Sequence, residues 1–184
     1  METDKIWKIR SKKPVFSEKI FEIFEMDCFL PSKNITHRFL SMHLHDWINV
    51  FALTDDEKVI LVKQHRLGKD LVTVEVPAGA MNRGEDPAEA AKRELEEETG
   101  YVSDKMILLK KISVNPAIQD NTCYFFLALG CRKHKDTNFD TGEEIELVLE
   151  DKEKIFEKLG SDMVDNSLSF LSIMLARDHL AKRK

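Results

Sequence analysis

Residues 79–101 read GAMNRGEDPAEAAKRELEEETGY, and this stretch carries the signals that begin a helix and the signal that ends it. Asp86 can cap the helix N-terminus, and Pro87 suits the first helical position because its missing N–H would be unpaired there anyway. Glu89 stands three residues after Asp86, as in a capping box, and Gly100 is a matching stop signal. The stretch therefore predicts a loop followed by a helix that ends before Gly100.

Three glutamates, Glu94, Glu97 and Glu98, follow one another within this helix at spacings i, i+3 and i+4. The period of 3.6 residues places all three carboxylates on one helical face. An isolated acidic run is usually no more than a solvated face. Three hard oxygen donors on a rigid helix are also what Mg²⁺ or Mn²⁺ needs, with phosphate oxygens able to supply the remaining ligands.

The acidic run is not isolated, because Gly79, Glu85 and Arg93 precede it at fixed spacings. The whole pattern of glycine, glutamate, arginine and glutamate over residues 79–101 resembles the Nudix box, and Tyr101 departs from it where an aliphatic residue is more usual. The resemblance implies an α/β (α+β) Nudix fold, in which a mixed β-sheet is sandwiched between α-helices. It also implies that the box forms a loop, helix and loop that holds metal against a diphosphate.

The resemblance further implies a role for each matching residue. Glu94, Glu97 and Glu98 would be ligands of Mg²⁺ or Mn²⁺, and the backbone carbonyl of Ala78 would add another. Glu97 would thereby also be essential for catalysis. Gly79 and the pair of Glu85 and Arg93 would be structural, since the planar fork of an arginine can hold a carboxylate through two hydrogen bonds.

Further segments indicate a branch of the family. The segments at 47–52, 64–66 and 75–79, together with Pro116, resemble the ADP-ribose and nucleotide-sugar pyrophosphatases over about residues 47–149. This implies metal-dependent hydrolysis of the diphosphate bond of a nucleoside diphosphate sugar, giving a nucleoside monophosphate and a sugar phosphate. Arg66 would contact the diphosphate, and Pro116 would mark the loop over the sugar. Trp47 is interpreted as a core residue rather than a base-stacking platform.

Asn121 departs from this branch, because ADP-ribose hydrolases commonly carry a glutamate at that position. An amide can bind a sugar hydroxyl but cannot act as a base, so the substrate can be ADP-ribose, GDP-mannose or a related compound. The general base is then expected in the acidic loop at 140–144. We favour Glu144 slightly over Glu143, although a charged surface hairpin is an alternative interpretation of this loop.

Hydrophobic patterns predict the remaining elements. Strands are expected in two pairs that form a continuous sheet, in one short apolar segment, and in three later segments: Lys19–Leu30 with Ile35–Leu44, Trp47–Thr54 with Lys58–Gln64, Leu71–Val76, Met106–Val114, Cys123–Leu129 and Glu144–Leu149. Two helices, Glu150–Leu159 and Asp165–Ala181, close the chain. We interpret residues 1–46 as an N-terminal antiparallel β extension that forms a homodimer, and residues 47–184 as the hydrolase domain.

Composition excludes several other classes. With 28 basic and 33 acidic residues, the chain lacks the positive excess of a nucleic-acid-binding protein. No segment approaches the roughly 18 apolar residues that span a bilayer, so no membrane partner is expected. Three cysteines without CxxC spacing favour a reducing cytoplasm. The open alternatives are a Nudix pyrophosphatase of dinucleoside polyphosphates, NADH or nucleoside triphosphates, and a catalytically silent nucleotide-binding regulator.

Overall fold

The computed structural model describes residues 2–137, 144–159 and 164–182. The chain divides into two compact units, the first containing Met1–Asp46 and Ser113–Thr122, and the second containing Trp47–Ile112 and Cys123–Lys184. The strands and helices, in chain order, are β1 (Lys8–Ser17), β2 (Phe21–Leu30), β3 (Ile35–Leu44), β4 (Trp47–Thr54), β5 (Lys58–Arg66), β6 (Leu71–Glu75), β7 (Ala78–Ala80), α1 (Pro87–Thr99), β8 (Tyr101–Val102), β9 (Lys105–Ser113), β10 (Thr122–Lys133), β11 (Ile145–Asp151), α2 (Lys152–Glu157) and α3 (Ser167–Ala181).

The first unit is built on a three-stranded antiparallel sheet in the order β1-β2-β3. The predicted pair of strands is present, and β2 and β3 are aligned from Phe21 opposite Leu44 to Leu30 opposite Ile35. The expectation of one continuous sheet running on into β4 is wrong, because β3 and β4 belong to different sheets. Asp46 lies at this break, and its side chain accepts a hydrogen bond from the backbone N–H of Thr122 at 2.7 Å.

The second unit is built on a mixed sheet in the order β11-β5-β4-β10-β8. Strands β4 and β10 run parallel, whereas β4 and β5 run antiparallel. Successive residues of β4 enter different cores: Val50 packs in a cluster that includes Leu95 of α1, and Phe51 packs in a cluster that includes Ile173 of α3. Helices therefore cover both faces of this sheet, which confirms the predicted fold class.

The sheet opens into a fork between β4 and β5. These two strands pair only at Ala52 with Ile60 and at Leu53 with Val59. Beyond those pairs, β5 continues with β6 and β4 continues with the short strand β7. The residues from Gly79 to the start of α1 were predicted to form a loop, and β7 corrects that prediction. Its glycine and alanines are small enough to pair with Trp47–Asn49 at the edge of the fork.

The central helix α1 confirms the sequence prediction. The Asp86 carboxylate accepts hydrogen bonds from the N–H groups of Ala88 at 2.9 Å and Glu89 at 3.2 Å. Gly100 ends the helix with a φ of 71°, in the left-handed region that glycine tolerates. Glu89 pairs with Lys92 at 2.6 Å, so its carboxylate is held along the helix and not at the cap.

Among the described residues, no helix is long and apolar enough to cross a bilayer. The two helices after β11 are present, and both are shorter than the sequence suggested, since α2 ends at Glu157 and α3 begins at Ser167.

Candidate active site

Arg93 joins the loop before α1 to the helix itself. Its Nε and Nη2 donate to the two carboxylate oxygens of Glu85 at 2.8 and 3.0 Å, and Nη2 also donates to the backbone oxygen of Ala80 at 3.2 Å. The hydrogen bonds from Arg93 are the main cause of the lowered pKa of Glu85, and those to Glu85 are the main cause of the raised pKa of Arg93. The expected pair of Arg93 and Glu85 therefore fixes the loop relative to α1.

The acidic face of α1 meets this arginine and strand β7. Nη1 of Arg93 donates to Glu94 at 2.7 Å and to Glu97 at 3.0 Å. Glu98 is buried, and its Oε2 accepts the N–H of Ala78 at 3.0 Å. The structure thus brings Glu94 and Glu98 to β7, and Arg93 links Glu97 to Glu94.

Gly79 allows this close approach. A Cβ atom built on Gly79 would lie 2.2 Å from the carboxylate carbon of Glu94, far inside van der Waals contact. Any other residue would displace the Glu94 carboxylate from its present place beside β7. The glycine of the motif is therefore required by sterics, in agreement with its expected structural position.

The donor set of this helix face matches a hard divalent cation, because carboxylate and carbonyl oxygens are the ligands that Mg²⁺ prefers. Over the described ranges, no group of three or more acidic, histidine or cysteine side chains is already arranged to hold a metal ion. Two of the three carboxylates are instead bound to Arg93. The chemistry of the residues fits a metal, and a cation would have to compete with the guanidinium for them.

A cavity of about 350 Å³ opens at the fork between β4 and β5. Its lining combines residues of both arms of the fork with the edge of α1 and the start of α3: Trp47–Asn49, Gln64, Arg66, Glu75, Ala78–Ala80, Glu98, Asn166 and Leu168. Trp47, interpreted from the sequence as a core residue, is half-buried and lines this cavity. The predicted Arg66 and the predicted metal-site residues Ala78, Gly79 and Glu98 thus share one pocket.

Arg66 is held in the pocket by a buried acid that the sequence analysis did not single out. Its Nε and Nη2 donate to the Glu75 carboxylate at 2.8 and 2.7 Å, and the Glu75 side chain is only 2% exposed. Thr73 donates a further short hydrogen bond to Glu75. Burial alone would raise the pKa of Glu75, but the hydrogen bonds from Arg66 and Thr73 bring it below its ordinary value.

Pro116 and Asn121 belong to the first unit, whereas Arg66 and the glutamates belong to the second. Pro116 lies in an exposed turn. Asn121 is 2% exposed, and its Nδ2 donates to the backbone oxygen of His45 at 3.2 Å. The structure therefore shows Asn121 bracing the end of β3, with one of its two amide donors already engaged.

Glu144 is exposed and directly precedes β11, whose first residue, Ile145, lies opposite Gln64 of the cavity lining. This register brings the start of β11 to the β5 arm of the fork. Glu143, the alternative general base, lies outside the described residues.

Comparisons with known proteins agree with this architecture. The NUDIX domain model matches residues 43–162. The ADP-ribose pyrophosphatase of Bacillus subtilis is 34% identical over 155 residues, covering 82% of this chain and 83% of that protein. The methanol dehydrogenase activator of Bacillus methanolicus is 32% identical, with coverages of 73% and 72%. A crystal structure of an ADP compounds hydrolase shares the fold with a TM-score of 0.86 at 18% identity, covering 100% of this chain and 98% of its own. On the matched motif, fold and relatives, the chain belongs to the Nudix family of hydrolases.

Proposed function

We propose that this protein hydrolyses the diphosphate bond of nucleoside diphosphate sugars, giving a nucleoside monophosphate and a sugar phosphate. The observation that carries the proposal is the shared cavity, which places the Arg66 guanidinium with Glu98 and the Gly79 segment of the Nudix motif. A cation and an acidic metal-binding face on one pocket suit a diphosphate. The relative from Bacillus subtilis, named as an ADP-ribose pyrophosphatase, supports the same substrate class.

The metal would be held by Glu94, Glu97, Glu98 and the carbonyl oxygen of Ala78. When bound, a divalent cation supplies charge neutralisation of phosphate oxygens and a lowered pKa for a bound water. Mg²⁺ is our first choice and Mn²⁺ the second, because all the donors are hard oxygens. Arg93 would release Glu94 and Glu97 on metal binding while keeping its two hydrogen bonds to Glu85, so the loop would stay in place.

Arg66 would bind the diphosphate, since a guanidinium fork matches phosphate oxygens. Its two bonds to Glu75 fix the direction of the guanidinium before substrate arrives, which lowers the ordering cost of binding. Glu144 would accept the proton of the attacking water at a carboxylate oxygen, because carboxylates engaged on cations are poor bases. Its place directly before β11, whose first residue Ile145 lies opposite Gln64, supports this role.

The first unit would form the interface of a homodimer. Its three-stranded sheet exposes large apolar side chains, among them Ile9 at 61%, Phe16 at 46% and Leu40 at 58%, and the connection between β1 and β2 exposes Ile20 at 70%. Exposed large apolar side chains are a feature of protein interfaces. The buried, free thiols of Cys28, Cys123 and Cys131 are consistent with the reducing cytoplasm that we propose as its compartment.

A substrate panel tests the proposed function. The full-length protein is incubated with ADP-ribose, GDP-mannose, ADP-glucose and UDP-glucose, with Mg²⁺ or Mn²⁺, and the products are separated by chromatography. We expect a nucleoside monophosphate and a sugar phosphate from at least one of them, and no reaction in EDTA. The Glu98→Gln variant is the control for contaminating hydrolases. Turnover of diadenosine polyphosphates, NADH or nucleoside triphosphates in preference to every sugar would contradict the proposal, as would binding without turnover.

A further inference from the structure

Trp47 and Asn49 stand two residues apart on β4, so they project from the same face of the strand. Both line the cavity at the fork, beside the paired residues of β7. Ile48, between them, also borders the cavity, but it is apolar and packs in the core that contains α1. Gln64 lines the same cavity from the β5 arm. Three side chains with neutral polar groups therefore converge on the pocket from the two arms of the fork.

These three side chains have hydrogen-bonding capacity that the described part of the chain does not use. Asn49 is 2% exposed, and its Nδ2 donates to the Sγ of Cys123 at 3.3 Å, a weak acceptor. Among the described residues, the Asn49 carbonyl oxygen, the Gln64 amide and the Trp47 indole N–H have no hydrogen-bond partner in the protein. Each of these groups lines the cavity and can therefore hydrogen-bond to a molecule that enters it.

The charged groups of the cavity, by contrast, already have hydrogen-bond partners in the protein. Arg66 is bound to Glu75, and Glu98 accepts the N–H of Ala78. In the described part of the chain, the cavity groups left available to a ligand are thus neutral donors and acceptors beside the apolar face of an indole. That combination matches a sugar, whose hydroxyl groups hydrogen-bond to amides and whose C–H face packs on an aromatic ring.

We infer that Trp47, Asn49 and Gln64 form the subsite for the sugar on the far side of the diphosphate from the base, which makes them the determinants of sugar preference. This inference rests on the proposed function. The subsite adjoins Ala78–Ala80 and Glu98, where the diphosphate would lie. In a nucleoside diphosphate sugar, each end of the diphosphate is bonded to a sugar, so the group next to the diphosphate is a sugar and not the base. The base is one ribose further away. A hexose offers more free hydroxyls than a nucleoside ribose, so it satisfies more of the unused groups.

Fluorescence of Trp47 tests the location without any catalysis. The chain has two tryptophans, so Trp7→Phe leaves Trp47 as the only indole. In EDTA, glucose 1-phosphate and mannose 1-phosphate are titrated into this variant, with AMP and GMP in parallel. We expect at least one sugar phosphate to change the Trp47 emission saturably, and the nucleotides to leave it unchanged. A response to the nucleotides alone would assign the pocket to the base and overturn the inference, and no response to any of the four would overturn it as well.

Product inhibition tests the two amides. Asn49→Ala and Gln64→Ala should each raise the inhibition constant of the sugar phosphate about 5- to 10-fold, the worth of one hydrogen bond, and leave that of the nucleoside monophosphate unchanged. Gln64 is half-buried, and its side chain has no hydrogen-bond partner within residues 2–137, 144–159 and 164–182, so this variant stays informative if the buried Asn49→Ala variant is unstable. Equal inhibition constants in wild type and Gln64→Ala would overturn the inference. If no nucleoside diphosphate sugar is cleaved, the proposed function fails, whereas the fluorescence result still decides the sugar subsite.

Discussion

Replacing Glu75 by glutamine tests the buried acid that holds Arg66. The substitution keeps the shape of the side chain but removes its charge and turns one acceptor into a donor that faces the guanidinium. Two hydrogen bonds to a charged group are weakened, and each is worth about 1.5–3 kcal/mol when intact. Arg66 is 44% exposed, so water can replace part of what it loses. We therefore expect the free energy of unfolding to fall by about 1–3 kcal/mol at pH 7.

The effect of Glu75→Gln on stability should also depend on pH, in a direction that follows from the pKa of Glu75. The pKa of Glu75 in the folded protein lies below its ordinary value of 4.5, so the folded state favours the ionised form. The stabilisation from Glu75 is then complete above about pH 4.5 and is lost as the pH falls through the lower, folded pKa. In Glu75→Gln this contribution is missing at every pH. The difference in stability between wild type and variant should therefore shrink in acid.

Urea unfolding at pH 7 and near pH 3 measures both quantities. Glu146→Gln is the matched control, because Glu146 pairs with Lys63 at 3.0 Å on an exposed surface. Exposed pairs contribute about 0–1 kcal/mol, so this variant should stay close to wild type. The KM of Glu75→Gln should also rise, since Arg66 is no longer oriented. The reasoning is refuted if Glu75→Gln loses no more stability than Glu146→Gln, or if its deficit is the same at both pH values.

Three other predictions concern the metal, the base and the assembly. Glu97→Gln and Glu98→Gln should fold normally but lose most of their activity, and the remaining activity should require more Mg²⁺ for half-maximal rate, which a metal titration measures; unchanged turnover and titrations in both would remove them from the ligand set. Glu144→Gln should lower kcat about 10²- to 10⁴-fold with little change in KM, and loss of activity in Glu143→Gln alone would move the base by one residue. Light scattering at micromolar concentration should give twice the chain mass, and a monomer would contradict the interface assigned to the first unit.

Local signals in the sequence predicted α1 well, because its start and end depend on neighbouring residues. Asp86 caps through its own side chain, Pro87 presets the first turn, and Gly100 supplies the left-handed conformation. The convergence of Glu94, Glu97 and Glu98 followed from helical periodicity alone. These features need no knowledge of the rest of the chain.

Features that depend on distant partners were missed. Strand β1 has no apolar alternation and is exposed along its whole length, so nothing in its composition distinguished it from a loop. Strand β7 contains glycine and proline-flanked alanine, and it is a strand only because β4 provides a partner. The salt bridge between Arg66 and Glu75 forms across the pairing of β5 with β6. Its one sequence signal was that Thr73 and Glu75 stand two residues apart on a strand and so lie on the same face.

Arg93 affects whether this protein can fold before it binds a metal ion. Carboxylates close together normally repel one another when no cation is present, yet here a tethered guanidinium already offsets part of the charge of Glu94 and Glu97. The fold can therefore be completed before any ion is captured, in contrast to small zinc domains that are unfolded until loaded. The chain should show a cooperative melting transition even in a chelating buffer. Loading with metal then becomes a late and reversible exchange of one counter-ion for another.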